Sequence, residues 1–257
     1  TPTATPAPTP TAAPTATPTP APTAIPTPTA APGTEGTAAF VDRLYKVCLG
    51  RDADEKGKAD WVGKLTSYQI SGTAAAKGFI FSTEFTNTNY NNADFVERLY
   101  EAFMGRKSDA DGKADWVGKL DAKKLTREEV FIGFADSAEF DKICSEYGIV
   151  SKDIETFVTR LYSVCLGRKP DAAGLKDWAA KLRGKTATGR DVSSGFIFST
   201  EFTNKNYNNA DFVEHLYAAF MGRESDAKGK ADWVGKLDSK KPTRQAVFNG
   251  LVGSDES

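Results

Sequence analysis

Apolar residues recur along this chain in one signature, repeated four times. In the copy that starts at Phe95, residues Phe95, Val96, Leu99, Tyr100 and Phe103 fall at i, i+1, i+4, i+5 and i+8, one face of an α-helix. Asp94, with Glu97 three residues on, predicts a capping box at the start of that helix. Gly105 predicts its end, since glycine takes the left-handed cap conformation at little cost. After a short polar loop, Asp109 predicts the N-cap of a second helix with Trp116, Val117 and Leu120 on its buried side. A third segment opens at Thr126, with Glu129 as capping-box partner, and runs through Val130, Phe131 and Phe134 toward Ser137 and Phe140. The expected unit is three short helices closed by a Ser-x-Glu-Phe tail, and the expected fold class is all-α, built of tandem repeats.

The copies start at Phe40, Phe95, Phe157 and Phe212, separated by 55, 62 and 55 residues, so a pair of repeats recurs with a period of 117. Residues 78–131 and 195–248 align without a gap and differ at only nine of 54 positions. Such self-similarity is the mark of a repeat architecture. A lone three-helix unit has a small core, so the two-repeat module is the expected folding unit. The predicted organisation is a Pro/Thr/Ala-rich disordered linker over residues 1–36, a first helical module over 37–148 and a second over 149–257. In repeat one, residues 33–38 read as a short approach, 40–49 as the first helix and about 73–81 as the third. The join at 86–93 is rich in Asn, which predicts turn and cap chemistry. The last repeat runs into Ser254-Asp255-Glu256-Ser257 where the other copies continue to Phe.

Composition adds the spacer. Eleven of the thirteen prolines lie in residues 1–32, and no charge precedes Glu35. Such a stretch cannot bury enough apolar surface to offset its ordering entropy. An extended, polyproline-like spacer is expected, with a reach of roughly 100 Å at about 3.1 Å per residue. The formal net charge is −1, and without a basic block no nucleic-acid partner is expected. No apolar run approaches the roughly 20 residues that span a bilayer. The chain starts at Thr1 with no signal-like stretch, which reads as a piece of a longer or processed protein. Cys48 and Cys165 occupy the slot that Phe103 and Phe220 fill in the other copies, so they read as buried free thiols; Cys144 is unmatched.

The combined run Phe-Val-x-Arg-Leu-Tyr, Gly-Arg, Asp-x-x-Gly, Trp and Gly-Phe-x-x-Ser-x-Glu-Phe resembles the bacterial family of unknown function DUF4214. It stands here as Phe40 to Tyr45, Gly50-Arg51, Asp54, Gly57, Trp61 and Gly78-Phe79 to Phe85, and recurs in the other three copies. His215 in place of Arg98, and Ala246 in place of the Glu partner of Thr243, depart from the pattern. The fold is also similar, more distantly, to the helical domain of phycobilisome linker polypeptides. The resemblance implies an accessory module of a secreted or cell-surface bacterial protein and supplies no catalytic residues. The Pro/Thr linker suits that setting.

Candidate sites compete with plainer roles. Asp52 and Asp54 before Gly57 look like half of a calcium loop, but only the Asp three residues past the Arg persists in every copy. One Asp per corner is what a helix cap requires, so Asp54, Asp109, Asp171 and Asp226 read as caps, with no metal. Arg51, Arg106, Arg168 and Arg223 read as loop braces paired with those Asp residues. Trp61, Trp116, Trp178 and Trp233 sit at helical spacing and read as core. Tyr90, Asn91 and Asn92, with their counterparts Tyr207, Asn208 and Asn209, are the candidates for binding a glycan or a partner. His215 reads as a solvated surface residue. No phosphate loop stands out, and no cofactor is implied. The leading expectation is a non-catalytic extracellular module that mediates attachment or assembly through protein or glycan contacts. The alternatives are a carbohydrate-binding module using exposed Tyr and Asn, and a structural stalk for a catalytic domain.

Overall fold

The structure is a computed structural model that describes residues 34–252. The expected extended spacer lies outside the described residues apart from positions 34–36, as does the 254–257 end. Among the described residues the fold is all-helical, with no strand. Repeat one comprises α1 (Thr34–Leu44), α2 (Glu55–Thr66), α3 (Gly72–Ile80) and the short α4 (Thr83–Thr86). Repeat two comprises α5 (Asn92–Leu99), α6 (Ala110–Asp121), α7 (Arg127–Ala135) and α8 (Ala138–Glu146). Repeat three comprises α9 (Asp153–Leu161), α10 (Ala172–Arg183), α11 (Gly189–Ile197) and α12 (Thr200–Thr203). Repeat four comprises α13 (Asn209–Leu216), α14 (Ala227–Asp238) and α15 (Arg244–Val252). The three expected helices are present in each unit, and the Ser-x-Glu-Phe tail adds a further helical segment. Ser82, Ser137 and Ser199 cap it by accepting from the backbone N–H of Phe85, Phe140 and Phe202.

The caps explain where the elements begin. Thr126 and Glu129 form the expected reciprocal capping box of α7. The box expected at Asp94 and Glu97 does not form. Asn91 accepts from the Asp94 N–H instead, and α5 starts three residues earlier in the join. Glu97 faces the second helix, where its carboxylate takes Ser108 Oγ at 2.5 Å and Lys113 Nζ at 2.8 Å. Residues 34–38, read as the end of the linker and a short approach, are already helical: Gly36 and Thr37 are buried, and Thr37 Oγ1 donates to the Tyr147 carbonyl.

Each first helix ends in one π-helical turn: Tyr45–Leu49, Tyr100–Met104, Tyr162–Leu166 and Tyr217–Met221. Each turn stops at a glycine with φ between 61° and 71°, a left-handed conformation that glycine adopts without the steric cost of a Cβ. Within each module the two π-turns pack on one another. Around them lie two separate hydrophobic cores, one drawn from residues 40–149 and one from 158–252. Phe40, Phe95, Phe103 and Phe140 in the first and Phe212 and Phe248 in the second are fully buried, each worth about 1.5–3 kcal/mol of transfer free energy.

The modules touch. The N–H groups of Gly72 and Thr73 donate to the carbonyls of Val150 and Ser151 at 2.9 and 3.0 Å. Ser71 Oγ donates to Asp153 Oδ1, and Arg160 Nη1 reaches back to the Tyr68 carbonyl at 3.0 Å.

Candidate functional site

The Gly-Arg corner is built from four groups. Asp54, Asp109, Asp171 and Asp226 cap their helices by accepting from the N–H of Gly57, Gly112, Gly174 and Gly229 at 2.7–2.8 Å. Those glycines also make room for a tyrosine: a Cβ at Gly57 or Gly112 would lie 2.3 Å from the hydroxyl of Tyr45 or Tyr100. The arginines lie over the same Tyr rings, 4.9–5.3 Å from their centroids. Their tight partner is not the capping Asp, which stands 3.7–4.0 Å away from Arg51, Arg106 and Arg168. It is the Glu of the tail, 33 residues on. Arg51 makes a two-pronged pair with Glu84 at 2.7 and 3.0 Å, Arg106 with Glu139 at 2.9 and 3.1 Å, and Arg168 with Glu201 at 3.0 and 3.2 Å. Hydrogen bonding from Arg51 holds the Glu84 carboxyl below its usual range. The pairs are solvent-exposed, so each adds little stability and serves mainly to set the corner's shape. Asp52 pairs with Lys46, and among the described residues no group of three His, Cys, Asp or Glu could hold a metal ion.

The four indoles are packed against the edges of the cores. Each lies partly buried against a glycine of the third helix: Trp61 on Gly78, Trp116 on Gly133, Trp178 on Gly195 and Trp233 on Gly250. A lysine three residues on covers each ring, at 4.2–5.5 Å from its centroid.

Each Asn-rich join borders a recess. Ile80, Phe81, Phe85, Thr86, Asn89, Tyr90, Phe95 and Arg127 line a recess of about 220 Å³. The second module repeats it, at about 230 Å³, with Tyr207, Asn206, Thr203 and Arg244 among the same residue types. Tyr90 and Tyr207, picked out in the sequence, are half-buried walls of these recesses, each packed on a Phe at 5.3 Å. The Asn residues picked out beside them are engaged within the fold. Asn91 and Asn208 are helix caps. Asn92 donates to Asp121 and accepts from Arg127; Asn209 donates to Asp238 and accepts from Arg244. The amides at the recesses are instead those of Asn89 and Asn206, whose backbones sit at φ 53° and 51°. Arg127 and Arg244 form the floor. Each guanidinium lies over a Phe ring at 4.7 Å and donates to the Tyr90 or Tyr207 carbonyl at 2.5 Å. Partial burial lowers the Arg127 pKa.

Behind Tyr90 stands Arg98, 5.4 Å from the ring; behind Tyr207 stands His215, stacked at 4.1 Å. His215 is therefore half-buried behind Tyr207 and not the solvated surface group expected. It also contacts Phe202, and its Nδ1 lies 2.7 Å from the Asp211 carbonyl. The residues that line the two recesses are of the same types, and this substitution stands behind them.

Among the described residues, no helix is long and apolar enough to cross a membrane. No curated protein and no solved structure matches the chain. One family model, described as "Domain of unknown function (DUF4214)", matches it over residues 32–89, 76–144, 142–206 and 193–257. Two of the stretches shared by successive matches, 76–89 and 193–206, carry much of each recess lining, from Ile80 to Asn89 and from Ile197 to Asn206. With four matches tiling the described residues end to end, the chain belongs to the DUF4214 family and carries four tandem units of it.

Proposed function

We propose that the chain is a non-catalytic accessory module of a secreted or cell-surface bacterial protein, and that it attaches that protein to a glycan or protein surface through its two recesses. The observation that carries the reading is the recurrence of one recess, with the same residue types, in both modules. Each combines an aromatic wall, a hydroxyl, an amide and a guanidinium, the mixture that recognises a polar ring. Its size decides what enters. Sites that enclose a whole drug-sized ligand run to roughly 300–1,000 Å³, so a recess of about 220 Å³ takes one ring or one side chain. That suits a repetitive surface gripped at several points. The extracellular setting rests on the Pro/Thr-rich segment and on the character of the family.

A glycan array with the intact chain and with a Tyr90→Ala, Tyr207→Ala variant tests the proposal. Binding by the intact chain that the variant loses, with its helical content retained, is the expected result. Equal signals from the two proteins would remove the recesses from the reading. The stalk alternative draws support from the module joint at Arg160; it predicts no array signal and an unchanged separation of the modules in solution scattering.

A further inference from the structure

Arg127 and Arg244 carry the one formal charge in the lining of each recess, and no carboxylate in that lining answers it. Every bond these guanidiniums make runs to a neutral oxygen. Arg127 Nη2 donates to the Tyr90 carbonyl at 2.5 Å and to Asn92 Oδ1 at 3.1 Å, and its Nε donates to Asn92 Oδ1 at 3.3 Å. Arg244 Nη2 donates to the Tyr207 carbonyl at 2.5 Å and to Asn209 Oδ1 at 3.1 Å. Among the described residues neither guanidinium forms an ion pair, and Nη1 of each has no acceptor. Arg98, behind Tyr90, differs: its charge is met by Glu101 at 2.7 Å.

None of the nine positions at which residues 78–131 and 195–248 differ falls in the lining, so the two recesses have identical walls. Two of the nine are the acids that follow the arginine. Glu128 and Glu129 are turned to Lys77 and Thr126 in module one, and Gln245 and Ala246 stand in their place in module two. Both modules therefore hold the cation over a Phe ring and against a carbonyl, while the acids beside it come and go. A posed guanidinium with a free nitrogen, in a concavity without acid, is complementary to an anion.

We infer that each recess takes a carboxylated sugar ring, a uronic-acid unit of an acidic glycan, with its carboxylate on Nη1 of Arg127 or Arg244. This names the ligand class of the site proposed above and rests on that reading. One guanidinium balances one negative charge; a phosphate group brings about 1.5–2 and calls for more than one cation. The rest of the ring meets neutral groups. The hydroxyls of Thr86 and Thr203 give their hydrogens to helix carbonyls, which leaves each oxygen as an acceptor. The amides of Asn89 and Asn206 spend one N–H on a backbone carbonyl and keep the other, with the amide oxygen, for a ligand. Donors and acceptors of that kind suit sugar hydroxyls. A peptide carboxylate would bring an extended backbone with it, and among the described residues there is no strand edge to pair it.

Isothermal titration calorimetry of the full chain with a short oligogalacturonate, and with its methyl ester, tests the inference. The ester keeps the rings and removes the charge, so it should bind about tenfold more weakly or worse, as when a charge-assisted hydrogen bond is lost. Arg127→Gln with Arg244→Gln should lose that factor toward the acid and none toward the ester. Each arginine also braces its join, so a second variant leaves both in place. Thr86→Glu with Thr203→Glu sets a carboxylate into each recess from an exposed position, and it should block the acid while the melting temperature holds. Equal affinity for acid and ester, or acid binding that survives the Thr86→Glu, Thr203→Glu change, would overturn the inference. So would binding of polyglutamate or of a sulfated galactan as tight as that of the oligogalacturonate. If the Tyr90→Ala, Tyr207→Ala variant then still loses its signal on neutral sugars, the recesses remain glycan sites of another specificity; silence toward every sugar, neutral or acidic, would overturn both readings.

Discussion

Arg160 and Tyr68 belong to different modules, yet the guanidinium of one donates to the carbonyl of the other at 3.0 Å. Its Nε and Nη2 donate at 2.8 and 3.0 Å to the carbonyls of Ala219 and Phe220, inside the last π-turn. One planar fork therefore serves the end of a π-turn and the joint between modules, from a position only 8% exposed. Its counterpart Arg43 stays within its own module, donating to the Tyr147 hydroxyl at 3.2 Å.

Arg160→Met should therefore leave three carbonyls without their donor. A buried group left unsatisfied costs about 1–3 kcal/mol, so module two should unfold at lower denaturant. Lys should not restore it, because a single ammonium cannot span three acceptors in one plane. Urea unfolding of the three proteins measures this, and identical midpoints would refute it.

Glycine substitutions should split by position. Gly57→Ala and Gly112→Ala place a methyl 2.3 Å from a Tyr hydroxyl and should cost about 1–3 kcal/mol through overpacking. Gly63→Ala and Gly118→Ala, on open faces of α2 and α6 with nothing within 4 Å, should stabilise by about 0.4–1 kcal/mol. Thermal melts of the four variants check the opposite signs.

Acid sensitivity should trace to two glutamates. Burial alone would raise Glu97 and Glu214. Hydrogen bonds from Lys113 and Ser108, and from Ser225 and Lys230, outweigh it and bring both carboxyls down to about 2 from an ordinary 4.5. A folded pKa below the unfolded one gives stability that is complete above the unfolded value and is lost as pH falls through the folded one. The chain should weaken between about pH 4.5 and pH 2. The gap in melting temperature between wild type and a Glu97→Gln, Glu214→Gln variant should be wide at pH 7 and narrow toward pH 2. A gap that does not change with pH would count against this account.

Burial pushes the thiols of Cys48, Cys144 and Cys165 up to about 12. Since the thiolate is the reactive form, a thiol reagent at pH 8 should label the unfolded chain and leave the native one unmodified. Rapid labelling of the folded protein would show that these sites open.

What could be read from the sequence is what neighbouring residues decide. Asp109 capping Gly112, and the Thr126–Glu129 box, act over three residues and were legible from spacing alone. The slot that alternates Cys48 and Cys165 with Phe103 and Phe220 marks a core position from sequence alone. Contacts between helices that cross leave no such local mark. Nothing local marks Glu84 as the partner of Arg51, although the constant separation of 33 residues between Gly-Arg and Ser-x-Glu was a usable signal. The Asn-rich join drew attention to the right segment but to the wrong amides. Asn91 and Asn92 were too close to a helix start to remain free, while Asn89 reached the recess through a left-handed backbone. The π-turns left no trace in the hydrophobic period, because the apolar positions repeat as they would in an ordinary helix.

The bond from Arg160 to Tyr68 also has a geometric outcome. By fastening one brick to the next, it holds at a set span the two like recesses that the proposed function reads as grips. A polymer whose units match that span would be held by both at once, and the second grip would act as an intramolecular event at high effective concentration. Avidity of that kind can exceed a single contact by about 10²–10⁴ without any new interaction. A short monovalent fragment of the same polymer would gain nothing from the span.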